Sequence, residues 1–230
     1  RPKMVTSFAD GTKIGAEMAT IANATGFPVK KRGMEGPRCD RVEEAHKLFD
    51  LKRLQKTGLT DYILGAEPSF GVFVLATCDQ PIRKRYMSVY KMGDGPLYTF
   101  YTPYHLSPIE APLSVARAAI FGDAALAPAG APVCAVVTLA KRDIKKGEKL
   151  DGIGGFLTYG AIDNYDVSQK GNLLPIGLAD GCIAKRDIKM DTAITYEDVK
   201  LPKNRLSDKL RQEQNAKFFH ISTKKIHQQI

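Results

Sequence analysis

Ala140-Lys141-Arg142-Asp143-Ile144-Lys145 returns later in the chain as Ala184-Lys185-Arg186-Asp187-Ile188-Lys189. Each copy follows apolar, β-favouring residues and runs into a turn, Lys146-Gly147 after the first and Met190-Asp191 after the second. Two copies are too few for a solenoid, which needs about three or more repeats to bury a continuous core. They predict one small β-rich module over residues 133–202, with two similar strand-turn corners and Pro202 as its end. Between the copies, Gly152-Ile153-Gly154-Gly155 lacks the full G-x-G-x-x-G spacing and the strand-loop-helix setting of a nucleotide loop, so it reads as a flexible turn. Residues 203–230 read as a polar C-terminal helix, Ser207 to Phe218, with Leu206, Leu210 and Phe218 available for docking, and a fraying tail.

Upstream, Ala127-Pro128-Ala129-Gly130-Ala131-Pro132 combines prolines, glycine and small residues without periodicity, which marks a linker. Residues 1–127 before it read as a mixed α/β region. Ser7-Phe8-Ala9-Asp10-Gly11-Thr12-Lys13 reads as a strand end and a tight turn. A helix then carries Ile14, Met18 and Ile21 as its buried stripe, Asp10 as its cap and Asn23 to Gly26 as its stop. Lys13 and Glu17 fall at the rim of that stripe, one turn apart. An acid and an amine so placed beside a capping carboxylate suit proton handling, and they equally form an ordinary i, i+4 ion pair.

Pro28 to Pro37 is a loop of cations and glycines (Lys30, Lys31, Arg32, Gly33, Gly36), followed by Arg38, and it suits a phosphate or plain solvent exposure. Asp40 to Leu54 reads as a helix with a capping-box-like start. Tyr62 to Ala66, Gly71 to Thr77 and Leu97 to Tyr101 read as strands, and Pro81 as a helix start. Ser107-Pro108-Ile109-Glu110 opens a buried helix that ends at Gly122. His105, beside Tyr104, is a candidate acid, base or hydrogen-bond donor, or a structural histidine. The overall expectation is an α+β chain.

With 230 residues, 43% hydrophobic and 26% charged, the chain has material for a substantial core. Its longest apolar runs fall far short of the roughly 18 residues of a membrane span, which argues against a membrane partner. A net charge of +9 favours an anionic partner. The absence of zinc-finger, helix-turn-helix and RNA-recognition patterns argues against nucleic acid. Cys39, Cys78, Cys134 and Cys182 form no C-x-x-C pair, and His46, His105, His220 and His227 show no metal-ligand spacing. The expectation is therefore reduced thiols, no metal site and a cytoplasmic setting.

Ser7 to Lys13, Arg32-Gly33-Met34-Glu35-Gly36-Pro37, Gly93-Asp94-Gly95-Pro96, Pro103-Tyr104-His105-Leu106 and Gly122-Asp123-Ala124-Ala125 together resemble the central region of homoserine-dehydrogenase-like NAD(P)-dependent oxidoreductases. The segment from Ala135 to Leu201 resembles the SAF domain that follows it in the deoxyxylulose-phosphate reductoisomerase-like branch of isoprenoid precursor synthesis. The resemblance implies a catalytic and oligomerisation region, a β-clip-like SAF domain, and homo-oligomers. It also implies hydride exchange between NADP or NAD and a small carbonyl or hydroxy substrate, including sugar phosphates such as deoxyxylulose 5-phosphate, and it leaves a divalent metal open. Family members begin with a Rossmann domain whose glycine fingerprint does not occur here, so the chain is expected to be the C-terminal portion of a longer enzyme. On the resemblance, Lys13 is the acid or electrostatic stabiliser, with Asp10 orienting it, Glu17 supporting its charge and His105 assisting. Ser7, Arg32, Arg38 and Tyr104 hold substrate. The competing expectation is a non-catalytic SAF-containing module that binds carbohydrate or protein.

Overall fold

The computed structural model describes residues 2–104 and 106–219, so the candidate His105 and the expected fraying tail lie outside the described residues. The fold is α+β. In chain order its elements are α1 (Pro2–Ala9), α2 (Thr12–Thr25), a 3-10 turn (Val42–Lys47), α3 (Leu51–Thr57), β1 (Val72–Thr77), α4 (Pro81–Val89), β2 (Leu97–Thr102) and α5 (Ser107–Phe121). They continue with β3 (Cys134–Ala140), β4 (Thr158–Asn164), α6 (Tyr165–Lys170), β5 (Ile183–Ala184), β6 (Val199–Lys200) and α7 (Leu206–Phe219). Contacts divide the chain into two units. The residues up to Met34 join those from Pro128 onward, and Glu35–Ala127 form the other. The opening helices thus pack with the β-rich module instead of with the residues that follow them in sequence.

In the first unit the echoed hexapeptides cross each other. Ile144 and Ile188 exchange both backbone hydrogen bonds at 2.8 Å, and both side chains are buried. The corners are reciprocal. Asp143 accepts from Lys189 Nζ (2.8 Å) and Met190 N (3.0 Å), while Asp187 accepts from Lys145 Nζ (3.0 Å) and Lys146 N (2.9 Å). Gly147 N donates to Ala184 O as Asp191 N donates to Ala140 O, each at 2.8 Å. The repeat in sequence is therefore a local two-fold in space, built around Leu150, Leu174, Cys182, Ile194 and Val199.

β3 and β4 pair antiparallel, Leu139 opposite Tyr159, and α2 lies against them. Its buried face is Thr12, Gly15, Ala19 and Ala22, which displaces the expected stripe of Ile14, Met18 and Ile21 to half-buried positions. The cause is close approach: a Cβ on Gly15 would lie 3.4 Å from Ile162 N, and Gly160 N donates to Thr12 Oγ1 at 2.8 Å. Small side chains let the helix reach the sheet backbone, and a bulky stripe would hold it off. Gly26, at φ 80°, ends α2 as expected, its N–H returning to Ala22 O.

Residues 2–9 are helical, not the expected strand end. Pro2 sits at the first position, where a missing N–H costs nothing, and Thr6 and Ser7 return their hydroxyls to Pro2 O and Met4 O. The β-favouring Val5 and Phe8 lie on the exposed side of the helix. At α7, Leu206 and Leu210 are exposed. The helix docks instead through Phe219 stacked on Tyr165 at 4.7 Å, Arg211 over the same ring, and Arg205, which donates to Leu178 O and Asp180 O.

The second unit holds the β1–β2 hairpin, Val72 opposite Thr102 through Thr77 opposite Leu97, over a small cluster of Cys39, Val42 and Ala66. The expected helix from Asp40 to Leu54 is broken into the 3-10 turn and α3, because Asp50 caps α3 by accepting from Arg53 N at 2.7 Å. Residues 62–66 contribute one isolated bridge, Leu64 to Arg38, in place of a strand. α4 starts at Pro81 and α5 ends at Gly122 as expected, but α5 is not buried: Ile109, Leu113, Val115, Ile120 and Phe121 are all exposed.

Candidate active site

Asp10 follows α1 directly and turns its carboxylate two ways. Oδ1 accepts from Thr12 N at 2.9 Å, at the start of α2, where the helix dipole favours an anion. Oδ2 accepts from Lys141 Nζ at 2.6 Å. Lys141 follows the last residue of β3, fixed by its N–H to Leu157 O at 2.8 Å, and its ammonium also donates to Gly155 O at 2.7 Å. The pair is well sheltered, with side chains 13% (Asp10) and 25% (Lys141) exposed. Burial raises the Asp10 carboxyl, but the Lys141 and Thr12 hydrogen bonds outweigh it and hold the group below the usual carboxylate range.

Beside this pair, the Tyr159 hydroxyl donates to Asp191 Oδ1 at 3.0 Å. Burial first, then the Asp191 hydrogen bond and charge, push the Tyr159 phenol up to about 12, so it stays neutral through the physiological range. Thr6, Ala9, Asp10, Lys141, Tyr159 and Asp191 line one open cleft of about 400 Å³. All six belong to the first unit.

The stabilisation that Asp10 contributes depends on pH. A folded-state value below the ordinary 3.8 adds stability that is present above that pH and is lost as pH falls through the folded value. Asp10→Asn keeps an oxygen for Thr12 N and removes the charge that faces Lys141. At neutral pH it is expected to cost about 1.5–3 kcal/mol, the range for hydrogen bonds to charged groups. The gap from wild type should close as pH drops below about 4. Urea melts at a series of pH values measure it; a gap independent of pH would assign the loss to packing.

Of the site residues expected from sequence, Asp10 alone among those described lines this cleft. Asp10 does not orient Lys13. That ammonium lies 3.4 Å from Glu17 Oε1 and 3.8 Å over the Phe8 ring, and Glu17 is exposed. Ser7 is buried and bonded within α1. Arg32 Nε donates to Asp163 Oδ2 at 2.7 Å, balancing a carboxylate that is only 5% exposed. Arg38 is exposed beside Asp40, and Tyr104 is exposed; both belong to the second unit.

The glycine loop expected to suit a phosphate has internal uses for its backbone donors. Glu35 N and Gly36 N donate to Asp61, and Gly33 N donates to Ile162 O. Sequence reasoning missed Lys141, Tyr159 and Asp191 as site residues. For Lys141 and Asp191 the signal lay in the echo, since Lys141 is inside it and Asp191 stands where the first copy has Gly147; Tyr159 lies outside it.

The described residues do not fit a dinucleotide. All three sheets are two-stranded and antiparallel, so among the described residues no parallel strand pair with a crossover helix presents a glycine-rich turn to a pyrophosphate. Among the described residues no group of three or more His, Cys, Asp or Glu is placed to hold a metal ion, and no helix is long and apolar enough to cross a membrane.

No curated protein matches the chain. Residues 1–111 match the family model described as Oxidoreductase DRL, catalytic domain, so this stretch, which contributes Thr6, Ala9 and Asp10 to the cleft, is similar to the catalytic part of an oxidoreductase.

Proposed function

We propose that the chain supplies the substrate-holding part of an oxidoreductase that acts on a small carbonyl or hydroxy compound, with Lys141 as the group that holds the reacting oxygen. The observation that carries this is the state of the Lys141 ammonium. It has three donors, and the described residues take two of them, Asp10 Oδ2 and Gly155 O, leaving one for a ligand oxygen in the cleft. An ammonium held in place before the reaction stabilises negative charge as it develops on that oxygen, at no cost of reorganisation. Asp10 keeps the ammonium aimed.

The reading includes a nicotinamide cofactor, NADP or NAD, held by groups other than the described residues. Hydroxy ketones such as deoxyxylulose 5-phosphate fall within the substrate class. A screen of small carbonyl and hydroxy compounds with NADPH or NADH, run on protein that includes the cofactor-holding groups and followed by absorbance, tests it; turnover of one class supports the reading. Saturable carbohydrate binding without turnover of any compound would favour the second reading, a SAF-type binding module, for which Lys141, Tyr159 and Asp191 lying beyond the matched stretch is the supporting observation. A homo-oligomer is part of the proposal. Val72 and Val74, with Phe100 opposite Val74, leave one face of the β1–β2 hairpin apolar and exposed, and light scattering reads the subunit number.

A further inference from the structure

We infer that Asp191, held against Tyr159, is the specificity-determining residue of this cleft, and that it selects a ligand bearing an uncharged hydroxyl next to the oxygen that Lys141 holds. The inference rests on the site reading above and deepens it.

The two-fold breaks at the residue that follows each corner. The hexapeptide corners match bond for bond, and the residue after each corner donates its N–H to the first alanine of the other copy. Both of these residues need the left-handed backbone: Gly147 has φ 90° and Asp191 has φ 61°. Glycine adopts that conformation freely, and aspartate is among the few L-residues that visit it. The second copy thus places a carboxylate where the first copy has no side chain. That carboxylate faces the cleft through Tyr159, and the Asp10–Lys141 pair lines the same cleft.

The chemistry of the pair narrows the ligand. Tyr159 spends its proton on Asp191, so toward a ligand it offers only lone pairs. The Asp191 carboxylate takes the Tyr159 proton on Oδ1, so Oδ2 remains an acceptor among the described residues. One wall of the cleft thus accepts hydrogen bonds, and the Lys141 ammonium donates one. A hydroxy carbonyl satisfies both at once, its carbonyl oxygen on Lys141 and its hydroxyl proton on Asp191.

Charge argues against an acid at this end of the ligand. Two carboxylates and one ammonium line the cleft, and the nearby Arg32 is balanced by Asp163.

The test uses dihydroxyacetone against acetone, which share the ketone and differ in the hydroxyls, with binding to the full chain followed by NMR shifts. Dihydroxyacetone should bind at least about tenfold more tightly, because acetone leaves the acceptor wall unpaired. Asp191→Gly installs the residue of the other copy and removes the carboxylate. It should stay folded and bind the two ketones within about twofold of each other, and Asp191→Asn, which keeps an acceptor for Tyr159, should narrow the preference without abolishing it. Equal binding of the two ketones by the wild type, or a preference that survives in Asp191→Gly, overturns the role of Asp191 and leaves the Lys141 reading standing. Failure of Lys141→Met to weaken either ketone, or no binding of either by the wild type, overturns the site reading and the inference with it.

Discussion

Lys141→Met is expected to lower turnover about 10²- to 10³-fold, the usual loss when one preorganised donor to a developing oxyanion is removed. Methionine keeps the length and most of the volume of the side chain while removing all three donors. It also leaves Asp10 to Thr12 alone, so part of the loss is structural. Two controls separate the effects. Asp10→Asn keeps the ammonium while loosening its aim, and should lose less than Lys141→Met. Lys13→Met removes the ammonium that the sequence motif favours, but one that lies against Phe8 and Glu17, and turnover should change less than about threefold. The measurement is steady-state kinetics on whichever compound the substrate screen identifies, with circular dichroism to confirm the fold. The reverse ranking, with Lys13 severe and Lys141 mild, would return the chemistry to α2.

Gly154→Ala should detach α1 from the turn it packs on and destabilise the first unit by about 3 kcal/mol. The glycine sits at φ 71°, and a Cβ there would lie 2.1 Å from Lys3 O, a backbone atom with no rotamer to escape into. The left-handed penalty alone is about 1–2 kcal/mol, and the overlap adds a comparable cost of overpacking. Because α1 carries Thr6 and Ala9 and leads into Asp10, ligand affinity should fall together with stability, and the amides of residues 3–9 should lose protection from hydrogen exchange. Gly147→Ala is the control. It also has a left-handed φ, but nothing lies within 4 Å of its Cβ position, so it should pay the backbone penalty without the overlap and leave the cleft intact. Equal losses at the two positions would mean that the approach of Lys3 contributes nothing.

What could be read from the sequence was governed by local physics. Gly26 and Gly122 end helices because a left-handed residue stops the ladder, Pro81 starts one because it needs no N–H there, and residues 72–77 and 97–102 carry side chains that favour strands. The echo was visible as identical letters, and identical corners fold alike. What the letters did not carry was which distant groups meet. Asp10 is bound by Lys141, far along the chain, and not by the lysine three residues away, because α1 packs on the Gly154 turn and brings its end to the close of β3. Arg32 and the glycine loop read as free for a phosphate, whereas in the fold Asp163 takes Arg32 Nε and Asp61 takes Glu35 N and Gly36 N. α2 buries its small face because the sheet backbone comes closer than a row of isoleucines allows. Turn and cap preferences act within a few residues and so are written in the sequence, whereas charge pairing and close packing depend on distances that only the folded chain sets.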